Sequence, residues 1–345
     1  MSILVSIIVI YYNSEDSLPE LLMDLAQITA DDIEIILVDD GSTDGSSERC
    51  TWYVTQDKRF RMLRQKNAGP SAARNNGLRN ANGRYVVFFD SDDRVDSAAF
   101  LHLLQKLRGE KEADIWCSDF FWIDRSGTVF KRISQIEETE EPIFSSSYLL
   151  QFLRASKCYW SVWRYVFCRE FLQNNELFFP EGYRCAEDLR FMTCCLLAEP
   201  RCAFFHNPYY RYVVNNEGSL SHNATAERMC HTAEMLEYSL RLTREKGELC
   251  GAKQMEKNLT REYMINLSLL YDVPGSVRPA AKEAFKRRLW LLKTAKDNRY
   301  RLLYAMICVF GFSTVSVLSC SARHIWRLPR RLDRALKVRF HGRAD

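Results

Sequence analysis

Tyr85-Val86-Val87-Phe88-Phe89-Asp90-Ser91-Asp92-Asp93 is the stretch on which the reading of this chain turns. Five β-branched and aromatic residues in a row predict a buried strand. That strand runs straight into the carboxylates of Asp90, Asp92 and Asp93. Like charges this close disfavour one another's ionisation, so a positive partner is expected. A divalent cation with oxygen ligands is the simplest such partner. The competing reading is a strand-end turn followed by an Asp helix cap, both of which Asp and Ser favour.

Two earlier runs weigh toward the cation. Ile33-Glu34-Ile35-Ile36-Leu37-Val38 is the near-continuous apolar run of a parallel strand covered on both faces, and it ends in Asp39-Asp40-Gly41-Ser42-Thr43-Asp44. Val5-Ser6-Ile7-Ile8-Val9-Ile10 ends in Tyr11-Tyr12-Asn13. In open α/β sheets, ligands sit beyond the carboxyl ends of the strands, where the strand order switches. Three strands with polar or acidic ends fit that rule.

The intervening segments read as helices near 16–28, 44–55, 71–81 and 97–107, with short strands near 60–65 and 114–119. Ser14 or Asp16 suits the first cap, and Gly83 stops the third helix. The order implies an α/β fold: a Rossmann-like, mostly parallel sheet with right-handed crossovers, flanked by helices. Asp124-Arg125-Ser126-Gly127 marks a hairpin, and residues 136–142 form an acidic loop. In the aromatic stretch Cys158 to Tyr165, Trp160 and Trp163 suit either a core or a sugar-stacking surface. Beyond residue 224 the pattern is helical, over 224–246, 252–272, 279–296 and 299–320. The expected division is a nucleotide-sugar-binding and catalytic domain (1–222), a helical extension (223–298) and an apolar, basic tail (299–345).

A chain of 345 residues with 47% hydrophobic and 27% charged content is long and apolar enough for a globular enzyme. Its net charge of +4 gives no reason to expect a nucleic-acid partner. The 12 cysteines are scattered without CxxC or zinc spacing, which suits reduced thiols in the cytoplasm. The first apolar run has no charged region before it, so it reads as a strand rather than a signal peptide. From Leu302 to Ala322 no residue is charged, and Arg323, Arg327, Arg330, Arg331, Arg334, Lys337, Arg339 and Arg343 follow. A spanning helix needs roughly 20 apolar residues, and five Ser or Thr residues make this segment marginal. A peripheral contact with the inner face of the cytoplasmic membrane is expected, against a buried helix with a solvated basic face.

Four blocks now stand in order: Val5 to Asn13, Val38 to Asp44, Asn67-Ala68-Gly69-Pro70-Ser71-Ala72-Ala73-Arg74-Asn75-Asn76-Gly77-Leu78, and Phe89 to Asp93. In order and spacing they resemble the family 2 inverting glycosyltransferases of the GT-A fold, of the bacterial polysaccharide-assembly type. Ala186-Glu187-Asp188-Leu189-Arg190-Phe191 is similar to the acidic acceptor-side motif of that family. The resemblance implies a hexosyl or N-acetylhexosaminyl transfer from a nucleotide-sugar donor, with inversion at the anomeric carbon. It places Asp40 against the nucleobase, usually uracil, with Asp39 and Tyr12 beside it and Arg74 near the nucleotide. Asp90-Ser91-Asp92 occupies the DXD motif, and Asp92 or Asp93 meets the Mg²⁺ or Mn²⁺ that bridges the diphosphate. Asp188 matches the general base. Tyr209-Tyr210-Arg211-Tyr212 and the segment 218–222 are similar to a part that closes over the donor, so that Arg211 or His222 touches the diphosphate. The acceptor implied is a lipid-linked or growing glycan.

Residue chemistry agrees with that assignment. A nucleoside diphosphate leaves well only when its charge is neutralised, and inversion needs one carboxylate to take the acceptor proton. Taken alone, Asp188 reads first as the N-cap of a helix over 188–198, with Glu187 solvated, ahead of a general base. Two other functions compete. A nucleotidyltransferase calls for a basic Gly-rich loop where Tyr11-Tyr12-Asn13-Ser14 stands. A non-catalytic scaffold that binds nucleotide sugars has no need of Asp90, Asp92 and Asp188 together.

Overall fold

The apolar runs become the strands β1 (Val5–Tyr11), β2 (Ile33–Asp39), β3 (Phe60–Arg64) and β4 (Tyr85–Asp90). The computed structural model describes residues 2–109, 113–133, 143–147, 149, 160–214, 225–247, 251–271, 273–276, 278–295, 298–318 and 321. These four strands are parallel, in the spatial order β3-β2-β1-β4. Both faces of β1 and β2 are covered, as their unbroken apolar runs require. Helices α1 (Leu18–Ala26), α2 (Ser46–Gln56), α3 (Pro70–Asn80) and α4 (Ser97–Leu107) alternate with them. The chain runs outward from β1 to β3, then returns to the other side of β1 as β4. The switch point therefore lies at the carboxyl ends of β1 and β4, where Tyr12 and Asp90 stand.

Close packing of α3 on β1 depends on Gly77, where an added Cβ would lie 2.4 Å from Ile8 Cγ2. Ile8 is fully buried and its methyl springs from a branched stem, so it has nowhere to swing. Gly77→Ala is expected to destabilise the fold by about 1–2 kcal/mol, because overpacking outweighs the gain in helix propensity. Urea unfolding measures this; an unchanged or raised midpoint would mean that α3 slides freely on β1.

Beyond β4 the sheet becomes mixed. β9 (Tyr165–Cys168) runs antiparallel between β4 and β6 (Ile115–Ile123). β10 (Arg201–Val213) then pairs parallel with β6, and β5 (Arg94–Val95) closes that edge. β7 (Val129–Ile133) folds back on β6 around the expected turn, where Gly127 takes φ +82°. β8 (Phe144–Ser145) pairs with β10. The sequence reading missed β9 and β10, because aromatic crowding masks the period-2 pattern there. Trp163 is 3% exposed and stacks on Tyr210 at 4.3 Å. It is a core residue here, not a platform for a sugar.

Two short helices follow the aromatic stretch: α5 (Arg169–Asn174) and α6 (Glu187–Leu197). The later helices are α7 (Ala226–Glu245), α8 (Ala252–Leu269), α9 (Arg278–Lys286), α10 (Trp290–Lys293) and α11 (Asn298–Phe310). The chain forms two compact units, Met1–Asn223 with Leu242–Met255, and Ala224–Arg241 with Glu256–Asp345. The helix expected over 299–320 breaks at Gly311, at φ +83°, before a further short helix over 312–318. Among the described residues, no helix is long and apolar enough to cross a membrane. The acidic loop over 136–142, residues 158–159, the segment 218–222 with His222, and the basic tail 323–345 lie outside the described residues.

Candidate active site

Gly69, at φ +90°, and Pro70 start α3 and bring Arg74 beneath the end of β4. Arg74 is only 4% exposed. Its Nη2 donates to Asp90 Oδ1 at 2.9 Å, and its Nη1 donates to Glu187 Oε1 at 2.7 Å. The same Nη1 lies 3.4 Å from Asp188 Oδ1. One guanidinium thus serves three carboxylates. Burial works against its charge, but Asp188, Asp90 and Glu187 outweigh burial and raise its pKa.

Glu187 and Asp188 form the first turn of α6, after Ala186 at φ +62°. A non-glycine residue in that region costs about 1–3 kcal/mol, the kind of local strain held at functional sites. The start of α6 carries no side-chain cap. Asp188 is therefore not the helix cap that its sequence also permits. Its Oδ2 instead accepts from the Val162 amide at 3.3 Å, while Oδ1 turns toward Arg74. Burial, opposed by Arg74 and reinforced by Glu187 and Asp90, pushes the Asp188 carboxyl up to about 7. The side chain keeps 22% of its surface accessible, so solvent screens part of that effect.

The two other DXD-region carboxylates face different ways. Asp93 is 2% exposed, and its oxygens accept from the Tyr210 hydroxyl at 2.5 Å and the Val213 amide at 2.8 Å. Burial, with the charges of Asp92 and Asp90, holds Asp93 well above the usual carboxylate range. Asp93 thereby ties β10 to the acidic loop, and Asp92 is the partly exposed member of the pair. Ser91 meets Ser14, hydroxyl to hydroxyl at 2.8 Å, which joins this loop to the one after β1.

At the end of β2 the paired aspartates shape loops. Asp39 is fully buried; it accepts from the Ser42 amide at 2.7 Å and the Ser47 hydroxyl at 2.6 Å. That use corrects its expected place in the donor site, since neither oxygen reaches the surface. Asp40 Oδ1 accepts from Gln65 and from the Ala68 amide, and Oδ2 accepts from the Gly69 amide at 2.8 Å. It is 5% exposed, and it sets the path of the chain into α3. Tyr12 is 49% exposed just past β1. Arg211 also departs from expectation. Alternation along β10 turns it away from Tyr210, and its Nη2 donates at 2.5 Å to Asp96, the N-cap of α4. Tyr210 stands in the segment expected to close over the donor, but its bond to Asp93 was not legible because the two lie 117 residues apart.

Among the described residues no three His, Cys, Asp or Glu side chains form a ready metal cage. Mg²⁺ and Mn²⁺ chemistry does not require one: one or two carboxylates suffice when phosphate oxygens and water complete the shell. Asp92 and the second oxygen of Asp90 are donors of that kind.

A model of glycosyl transferase family 2 matches residues 6–174. Residues 6–174 therefore form a glycosyltransferase family 2 domain. The chain is 35% identical over 214 residues to the uncharacterized glycosyltransferase EpsJ of Bacillus subtilis, covering 61% of each chain. It thus spans about three fifths of that relative's length. The cholesterol galactosyltransferase of Borreliella burgdorferi is 26% identical over 342 residues, 95% of this chain and 93% of that one. In structure, residues 1–349 of Staphylococcus aureus TarS in complex with UDP-GlcNAc superpose with a TM-score of 0.74 at 20% identity. The superposition covers 93% of this chain and 92% of that one. The chain therefore has the GT-A fold: a mostly parallel sheet flanked by helices, with a helical C-terminal region.

Proposed function

We propose that this glycosyltransferase transfers a hexosyl or N-acetylhexosaminyl group from a UDP-sugar to a hydroxyl of a lipid-linked or growing glycan, with inversion. The proposed setting is cell-surface polysaccharide synthesis at the inner face of the cytoplasmic membrane. The observation that carries it is the placement of Asp188: not used as a helix cap, with a raised pKa, and sharing Arg74 with Asp90 at the switch point. The UDP-GlcNAc complex of the TarS neighbour supports the choice of donor.

Asp40 would accept a ring N–H of the base, and the exposed Tyr12 ring would cover its face. Asp92, with Asp90, would hold Mg²⁺ or Mn²⁺, which supplies charge neutralisation for the departing diphosphate. Arg74 keeps Asp90 and Glu187 oriented and Asp188 ionisable. Asp188 takes the proton of the acceptor hydroxyl as its oxygen bonds to the anomeric carbon. The bond from that carbon to the diphosphate oxygen breaks on the opposite face, which inverts the centre.

Thermal shift with UDP, GDP, dTDP and CMP, each with Mn²⁺, tests the donor site. A ligand at 100 times its Kd adds about 2.7 kcal/mol, so a clear shift with UDP is expected. Asp92→Ala should abolish the Mn²⁺-dependent part. An equal shift in that variant would remove Asp92 from the site, and binding without turnover would favour the scaffold.

A further inference from the structure

α11 carries two apolar stripes. Tyr304, Ile307 and Cys308 line a groove of about 560 Å³, together with Leu289, Trp290 and Phe312. Lys282, Lys286 and Lys293 rim that groove, and no carboxylate is among its described lining residues. The other stripe points outward. Leu302, Met306, Val309 and Phe310 follow the i, i+4, i+7, i+8 spacing of one helical face. Leu302, Val309 and Phe310 are 63%, 74% and 60% exposed. Val317 and Leu318, in the short helix over 312–318, are exposed as well. A soluble surface rarely leaves so continuous an apolar face uncovered.

Charge decides what covers it. Arg299 and Arg301 stand at the start of α11, and no carboxylate occurs between them and Asp333. A second copy would set one cationic patch against another. An anionic bilayer satisfies both features, with acyl chains against the outer stripe and headgroup phosphates against the lysines. Trp290 and Tyr304 have the apolar body and polar tip that suit such a boundary. The break at Gly311 suits a helix lying in the interface rather than crossing it.

We infer that α11 and the short helix over 312–318 lie in the surface of an anionic phospholipid bilayer, with the Lys282, Lys286 and Lys293 groove receiving a lipid phosphate. This deepens the membrane location proposed above and is independent of the donor chemistry.

The test is flotation of the full chain with vesicles of equimolar phosphatidylglycerol and phosphatidylcholine, and with vesicles of phosphatidylcholine alone. Wild type should float with the first, release as salt rises, and float poorly with the second. Val309→Asp/Phe310→Asp, which alters exposed side chains and keeps the basic tail, should lower partitioning by about tenfold or more. Lys282→Glu/Lys286→Glu should weaken binding to the anionic vesicles alone. Unchanged UDP-dependent thermal shifts in both variants would confirm that the donor site is intact, so that the two proposals fail separately. Flotation of Val309→Asp/Phe310→Asp equal to wild type, equal binding to neutral vesicles, or an apolar-dependent dimer without vesicle binding would overturn the inference.

Discussion

Asp188→Asn is expected to lower sugar transfer by about 10²–10⁴-fold, the usual contribution of a positioned general base, while UDP binding stays close to wild type. The amide cannot take the acceptor proton, yet its carbonyl can still accept from the Val162 amide. Removing one of three carboxylates around Arg74 also relieves repulsion, so the variant should fold at least as well. Single-turnover transfer and thermal shift, measured on the same sample, separate the two effects. In wild type, kcat/KM should fall as pH drops through about 7, because burial first, then Glu187 and Asp90, hold the Asp188 proton to that value. Transfer reduced less than about tenfold in Asp188→Asn would remove Asp188 from the role of base.

The second large effect is on folding. Arg74→Met should destabilise the protein by about 3–5 kcal/mol, the range for removing one partner of a buried ion cluster. Asp90, Glu187 and Asp188 would then face one another without a cation. The pH dependence of that loss has a definite sign. Asp188 has a folded pKa raised above its ordinary 3.8, so between that value and about 7 the native state binds more protons than the unfolded one. Stability due to this group therefore falls as pH rises through that window. Without Arg74 the raised pKa climbs further and the window extends upward. The deficit measured by urea unfolding should be smaller at pH 5 than at pH 8. A deficit that is constant with pH would mean that the methionine fails through packing against Phe179, over whose ring the guanidinium sits, rather than through charge.

Much of the sheet-bearing unit was legible locally. Unbroken β-branched runs announced β1, β2 and β4 because strands covered on both faces cannot alternate, and helix α4 appeared with the bounds read from sequence. The break at Gly311 was less legible. A lone glycine in an apolar run is compatible with a continuous helix until its φ turns positive. β9 and β10 were missed because the surrounding aromatics carry no clear period. Their strand character comes from pairing with β4 and β6.

The sequence by itself determined the α/β order, the acidic ends of β2 and β4, and the set of carboxylates on which the proposed site rests. These are local properties, set by side-chain periodicity and by charges adjacent in the chain. Only the tertiary structure decided what each carboxylate does: Asp39 closes a turn, Asp93 is engaged by Tyr210, and Asp188 shares Arg74 with Asp90 and Glu187. The physical reason is that a carboxylate's ionisation and accessibility depend on the donors that reach it. The donors that matter here lie 113 and 117 residues from their acceptors, brought together by the sheet rather than by the chain.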